Sequence, residues 1–134
     1  MNHCMTTRHG GASSAPYDSL NLGDHVGDAP DSVAANRKIL ENQIGVRPVF
    51  MRQVHGTRCL QIDAQTPDGS EADAVVTTEH GLACVMMVAD CLPVLLWNES
   101  GTAVGAAHAG WRGLVGGVLA VSYTHLTLPT IYSV

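Results

Sequence analysis

Apolar residues recur at two different intervals along this chain, and the change from one to the other outlines its elements. Val33, Ile39, Leu40 and Ile44 return at roughly helical spacing. They follow Asp28-Ala29-Pro30-Asp31, whose acidic cap and early proline mark a helix start. Gly45 stops this helix, and Pro48 lies just beyond it. From there the apolar runs are strand-sized. Val49 to Val54 predicts a strand ending at His55-Gly56, with Cys59 to Ile62 continuing it after a bend. Thr66 to Ser70 predicts a turn, Ala74 to Thr77 a short strand, and Glu79-His80-Gly81 another turn. Leu82 to Ala89 is apolar on both faces and predicts a buried strand, which Pro93 breaks and Val94 to Trp97 resumes. Asn98 to Gly101 predicts a hairpin-like turn into a second buried strand, Ala103 to Ala107, ending at His108. Gly110 to Gly113 turns the chain, and Leu114 to Ala120 begins a helix. Many short strands with one or two helices predict an α+β class.

Two segments fall outside this pattern. Arg8 to Gly23 is rich in Gly, Ser and Pro and predicts a loop wrapping a surface, where Gly10-Gly11 permits tight turning or close approach to a ligand. At the other end, Arg112 is the last charged residue, and the Thr-rich stretch Val121 to Val134 predicts either a strand or a foreign peptide resembling translated sequencing adaptor.

The length of 134 residues suits one domain. Hydrophobic residues at 46% suffice for a core, but charged residues at 14% are scarce, which predicts a surface that is covered or a chain that is partly non-native. A net charge of −5 and scattered basic residues argue against a nucleic-acid partner. Met1 to Gly11 has no apolar core of a signal peptide and no run is long enough to span a membrane, so a cytoplasmic location is expected. Cys4, Cys59, Cys84 and Cys91 then count as thiols, with Cys59 and Cys84 expected to be buried.

Three residues sit where a buried strand is expected to end: His55, Cys91 and His108. Two imidazoles and a thiolate make a zinc set with an open fourth position, which lowers the pKa of a bound water. Spacing does not decide between this and a metal-free arrangement, with Cys91 as nucleophile, His55 or His108 as base, and Asp90 orienting either. No histidine pair has the His-X-His form that a multicopper cluster needs, so copper oxidase chemistry is not expected.

Several stretches carry a resemblance. TTRHGGAS, PYDSLNLGDHVGD, RQVHGTR, ADAVVTT, ADCLPVLL and AAHAGWRGLVGGVL occur in one order over Thr6 to Ala120, and in these the chain resembles the YfiH/YlmD family, also called laccase-domain or polyphenol oxidase proteins. The resemblance implies zinc held by His55, Cys91 and His108, and an enzyme of purine nucleoside phosphorolysis, adenosine deamination and methylthioadenosine phosphorolysis. Its substrates would be adenosine, inosine, guanosine or methylthioadenosine with phosphate. It also implies an α+β fold of packed mixed sheets with flanking helices, shared with a group of cysteine hydrolases. Arg8 and Arg112 are then candidates for the phosphate, and Asp90 for a residue supporting a ligand from behind. Arg8 as a solvated loop residue and Arg112 as packing on Trp111 are the bland alternatives.

Family members continue well past the helix at Leu114 and begin with a strand before TTRHGG. The expected organisation is thus 1–120 as the N-terminal part of one YfiH-like domain, incomplete at its C-terminus, and 121–134 as a non-native tail. On that expectation the activity belongs to the parent protein, and the sequence leaves open whether this fragment is active, binds metal only or is inert. Pairing into a homodimer is left open by the sequence.

Overall fold

The computed structural model describes residues 2–132, with side chains through Leu126. They divide into two compact units, Met1–Val46 and Arg47–Val134.

In the first unit a long loop is tied to helix α1 (Pro30–Ile44). The helix has the expected bounds, and Gly45 closes it with φ 75°, a left-handed conformation that glycine adopts without strain. The cap differs from expectation. Ala29 occupies the N-cap, while Asp28 turns toward the loop and accepts from Ser13 Oγ and Asn21 Nδ2. The loop's anchor is Asn36, fully buried on α1. Its Oδ1 accepts the Ala12 N–H at 2.7 Å, and its Nδ2 donates to Ser13 Oγ and the Asn21 carbonyl, each at 2.8 Å. This is why position 11 is glycine: a Cβ there would lie 2.1 Å from the Ser19 carbonyl oxygen and 2.6 Å from Asn36 Oδ1. The close approach that Gly10-Gly11 permits is to the chain itself.

Among the described residues the second unit holds eight short strands and two helices. They are β1 (Arg47–Val49), β2 (Met51–Arg52), β3 (Cys59–Gln61), β4 (Ser70–Glu71), β5 (Ala74–Thr77), β6 (Leu82–Cys84), β7 (Leu92–Trp97), β8 (Val104–Ala109), α2 (Trp111–Gly116) and α3 (Val118–Tyr132). A four-stranded sheet has the order β3-β5-β8-β7, and two parallel pairs, β1 with β6 and β2 with β4, accompany it. The class is α+β, mixed sheets with flanking helices, as the sequence predicts.

Alternation along β5 and β8 divides the core. Ala74, Val76, Ala107 and Ala109 pack with Val118 and Leu126, while Val75 and Ala106 pack with Val49, Met51 and Ile62. Small residues at 103, 105, 106, 107 and 109 let both layers approach closely; a Cβ on Gly105 would meet the Val75 carbonyl at 2.9 Å.

Several expected bounds shift for identifiable reasons. The strand expected over Val49 to Val54 splits because the Phe50 N–H bonds to Asp68 Oδ1. The buried strand expected over Leu82 to Ala89 pairs only through Cys84; beyond it, Met87 exchanges two 2.8 Å hydrogen bonds with the Gln53 amide in place of a ladder. Pro93 does not break a strand but lies within β7, an edge strand, where its missing N–H is tolerated. The helix starts at Trp111 rather than Leu114, and Gly117 (φ 95°) separates α2 from α3. The tail is helical through Tyr132, not a strand, and Leu126 within it is a core residue. Ser133 and Val134 lie outside the described residues. Among the described residues no helix is long and apolar enough to cross a membrane.

Candidate functional site

The hairpin sets the site's geometry. β7 and β8 run antiparallel with Leu92 opposite Ala109, so the residue before β7 sits at the end of β8. That residue is Cys91. It precedes β7 rather than ending a strand, and His108 lies within β8 rather than beyond it, which corrects both expected placements. His55 comes from the loop after β2. The three residues nonetheless converge as expected: their ligand atoms all lie within 4.8 Å of one another. Cys91 Sγ is 3.9 Å from His55 Nε2, and the two imidazoles meet edge to face with centroids 4.7 Å apart. His55 is exposed, Cys91 half-buried and His108 buried. Among the described residues this is the one such grouping of His, Cys, Asp and Glu.

His55 is the one non-glycine residue among those described with a positive φ, 59°. Such a backbone costs on the order of 1–3 kcal/mol and persists only where neighbours enforce it. The enforcer is Asp73, which the sequence reading missed. Its carboxylate is fully buried. Oδ1 accepts the N–H groups of Val54 (3.0 Å) and Gly56 (2.9 Å), and Oδ2 accepts that of His55 (2.9 Å). Oδ2 also lies 2.8 Å from His108 Nδ1, and the Asp73 carbonyl accepts the His108 N–H at 2.8 Å. Desolvation pushes the carboxyl's pKa up, but the His108 contact and the three N–H donors outweigh it and hold the group below its ordinary value. A signal was present in the sequence: an acid between two alanines at the start of an apolar strand, and the structure buries both alanines fully. A charge there requires partners.

Gly110 was also missed. It is the N-cap of α2, and a Cβ on it would lie 3.1 Å from Cys91 Sγ and 3.2 Å from His55 Cδ2. Asp90, expected behind a ligand, lies beside the sulfur: Cys91 Sγ is 3.5 Å from Asp90 Oδ1. The Cys91 thiol is raised by desolvation first, then by its hydrogen bond to Asp90 and that group's charge. Arg112 lies over the Trp111 ring, 5.3 Å from its centroid. Arg8 belongs to the first unit, where its Nε donates to the Asp18 carbonyl at 2.9 Å and its guanidinium pairs with the Asp18 carboxylate.

Relatives of known name bear on this arrangement. The chain is 48% identical over 126 residues to a purine nucleoside phosphorylase of Pseudomonas aeruginosa, covering 94% of this chain and 51% of that one. It is 51% identical over 118 residues to the purine nucleoside phosphorylase YfiH of Escherichia coli, covering 87% and 49%. A crystal structure of a Neisseria meningitidis protein superposes with a TM-score of 0.87 at 46% identity, over 94% of this chain and 52% of that one. YlmD from Geobacillus stearothermophilus gives 0.80 at 32% identity, over 96% and 52%. The chain thus spans about half the length of the relatives it matches. Residues 2–130 match the family described as multi-copper polyphenol oxidoreductase laccase, and with YfiH and YlmD among its relatives the chain belongs to that family.

Proposed function

We propose that this chain carries the zinc-binding part of a purine nucleoside phosphorylase, with His55, Cys91 and His108 as the ligands. The observation that carries the reading is the convergence of these donors within 4.8 Å. A tetrahedral zinc with ordinary Zn–N and Zn–S lengths holds its ligand atoms about 3.3–3.6 Å apart. The 3.9 Å between Cys91 Sγ and His55 Nε2 needs a contraction of a few tenths of an ångström to reach that, and the widest separation in the group, within 4.8 Å, needs a larger one. Two imidazoles and a thiolate are borderline-soft donors suited to zinc, and three protein ligands leave a position open. The multicopper site in the family's description does not fit: the chain has no His-X-His pair, and one three-donor group is present among the described residues.

When bound, zinc supplies a Lewis acid that polarises a substrate oxygen. The chain's residues do the rest. His55 and His108 would each offer a ring nitrogen. Cys91 would hold the metal as a thiolate, giving up its thiol proton. Phosphorolysis then forms a bond from a phosphate oxygen to the ribose anomeric carbon while the glycosidic bond to the purine nitrogen breaks, its electron pair leaving with the base. Arg112, just after Gly110 in the same unit as the three donors, is the proposed phosphate contact. Adenosine deamination and methylthioadenosine phosphorolysis are finer readings of the same site, and the substrates are small molecules handled in the cytoplasm.

The 3.9 Å approach of Cys91 to His55 also favours a second reading, a metal-free cysteine hydrolase. The raised thiol opposes it, since a nucleophilic cysteine needs its thiolate near neutral pH. The test is base release from inosine, adenosine and methylthioadenosine with and without phosphate, on zinc-loaded protein and on Cys91→Ser. Phosphate-dependent release that disappears on chelation supports the proposal. Release or hydrolysis that survives chelation supports the cysteine reading, and no release overturns the activity for this chain.

A further inference from the structure

We propose that Asp73 is the positioning residue of this site, one carboxylate that sets both the backbone of His55 and the ring of His108. The two histidines come from different parts of the chain, and their rings meet edge to face. Asp73 joins them. It stands one residue before β5, and the β5–β8 register places it opposite His108. Its two oxygens close a ring of N–H donors from Val54, His55 and Gly56, bending the chain so that His55 reaches its φ of 59°. The remaining contact, 2.8 Å from Oδ2 to His108 Nδ1, gives that ring an acceptor at Nδ1. A carboxylate only accepts, so the His108 proton stays on Nδ1 and the lone pair of Nε2 is left for a ligand. His108 and Asp73 are both buried, which shields the bond from bulk solvent. The consequence for metal binding rests on the zinc reading above; the tautomer does not.

Asp73→Asn is nearly isosteric and reverses the chemistry. With Oδ1 kept toward Val54 and Gly56, the new amide directs N–H donors at His108 Nδ1 and at the His55 N–H. His108 then moves its proton to Nε2, and the His55 turn loses an acceptor. The experiment uses the full chain labelled with 15N-histidine and freed of metal, with His108→Gln to assign the signals. In the wild type the ring-nitrogen shifts are expected to show His108 protonated at Nδ1, and in Asp73→Asn at Nε2. Zinc affinity of the variant, by competition with a chromophoric chelator, is expected to fall 10- to 100-fold with far-ultraviolet circular dichroism retained.

A wild-type His108 protonated at Nε2 overturns the inference whether or not the variant folds. So does a variant whose tautomer and zinc affinity match the wild type. If the tautomer switches as expected but the wild type itself takes no zinc, Asp73 keeps its positioning role and the zinc reading is what fails.

Discussion

Gly110→Ala adds a single methyl group, and the structure says where it goes. Gly110 has φ −70° and ψ 170°, an extended conformation that alanine adopts freely. The substitution therefore carries no backbone strain, and restricting the unfolded chain favours the variant by about 0.4–1 kcal/mol. The methyl group lies 3.1 Å from Cys91 Sγ and 3.2 Å from His55 Cδ2, where ordinary contacts fall at 3.4–4 Å. Both ligands must give way by a few tenths of an ångström. That is comparable to the contraction that brings Sγ and Nε2 from 3.9 Å to tetrahedral spacing, and it acts in the opposite direction. Zinc affinity should fall about tenfold, ~1.4 kcal/mol, while urea unfolding of the metal-free protein stays within about 1 kcal/mol of wild type. The assays are chelator competition and denaturation on the same preparations. Unchanged zinc affinity in a folded variant would refute the reasoning, because it would mean that the ligands do not crowd Gly110.

Other expectations are simpler. Leu126→Ala removes a core residue of α3 and should cost about 2–5 kcal/mol in urea unfolding; a cost below about 0.5 kcal/mol would show that α3 does not cover the sheet. Asn36→Ala deletes three hydrogen bonds from a fully buried position, and about 2–4 kcal/mol of stability should go with them. Desolvation raises Cys59 to about 11 and, with the charge of Cys59, Cys84 to about 12. Both are held neutral by the fold, so their contribution is whole below the ordinary thiol value of 9.0 and is lost as pH rises through 11 and 12. In native protein at pH about 8 an alkylating reagent should label the exposed Cys4 and spare Cys59 and Cys84 until unfolding.

What the sequence disclosed follows from the range of the interactions involved. Helix α1 was legible because its signals are local: Pro30 at one end, Gly45 at the other and apolar residues at helical intervals between them. The strand Ala74 to Thr77 and the turn after Asn98 were legible for the same reason. Pro93 misled because a proline signals a break unless the strand is an edge, and edge position is a property of the sheet. The strand alternative for the tail failed because it rested on Thr and Tyr, which favour strands, whereas packing of Leu126 on the sheet selects a helix. The three candidate ligands were found, but the reason they meet was not. It lies in the β7–β8 register and in Asp73, whose partners are 17 to 19 residues away in one loop and 35 away in a strand.

Zinc content per folded chain decides whether His55, Cys91 and His108 form a single zinc site. Purified protein should hold about one zinc, and Cys91→Ser should lose most of it while keeping its circular dichroism spectrum. A folded wild type that takes up no zinc when the metal is supplied, or a Cys91→Ser variant that holds it equally well, would contradict the account.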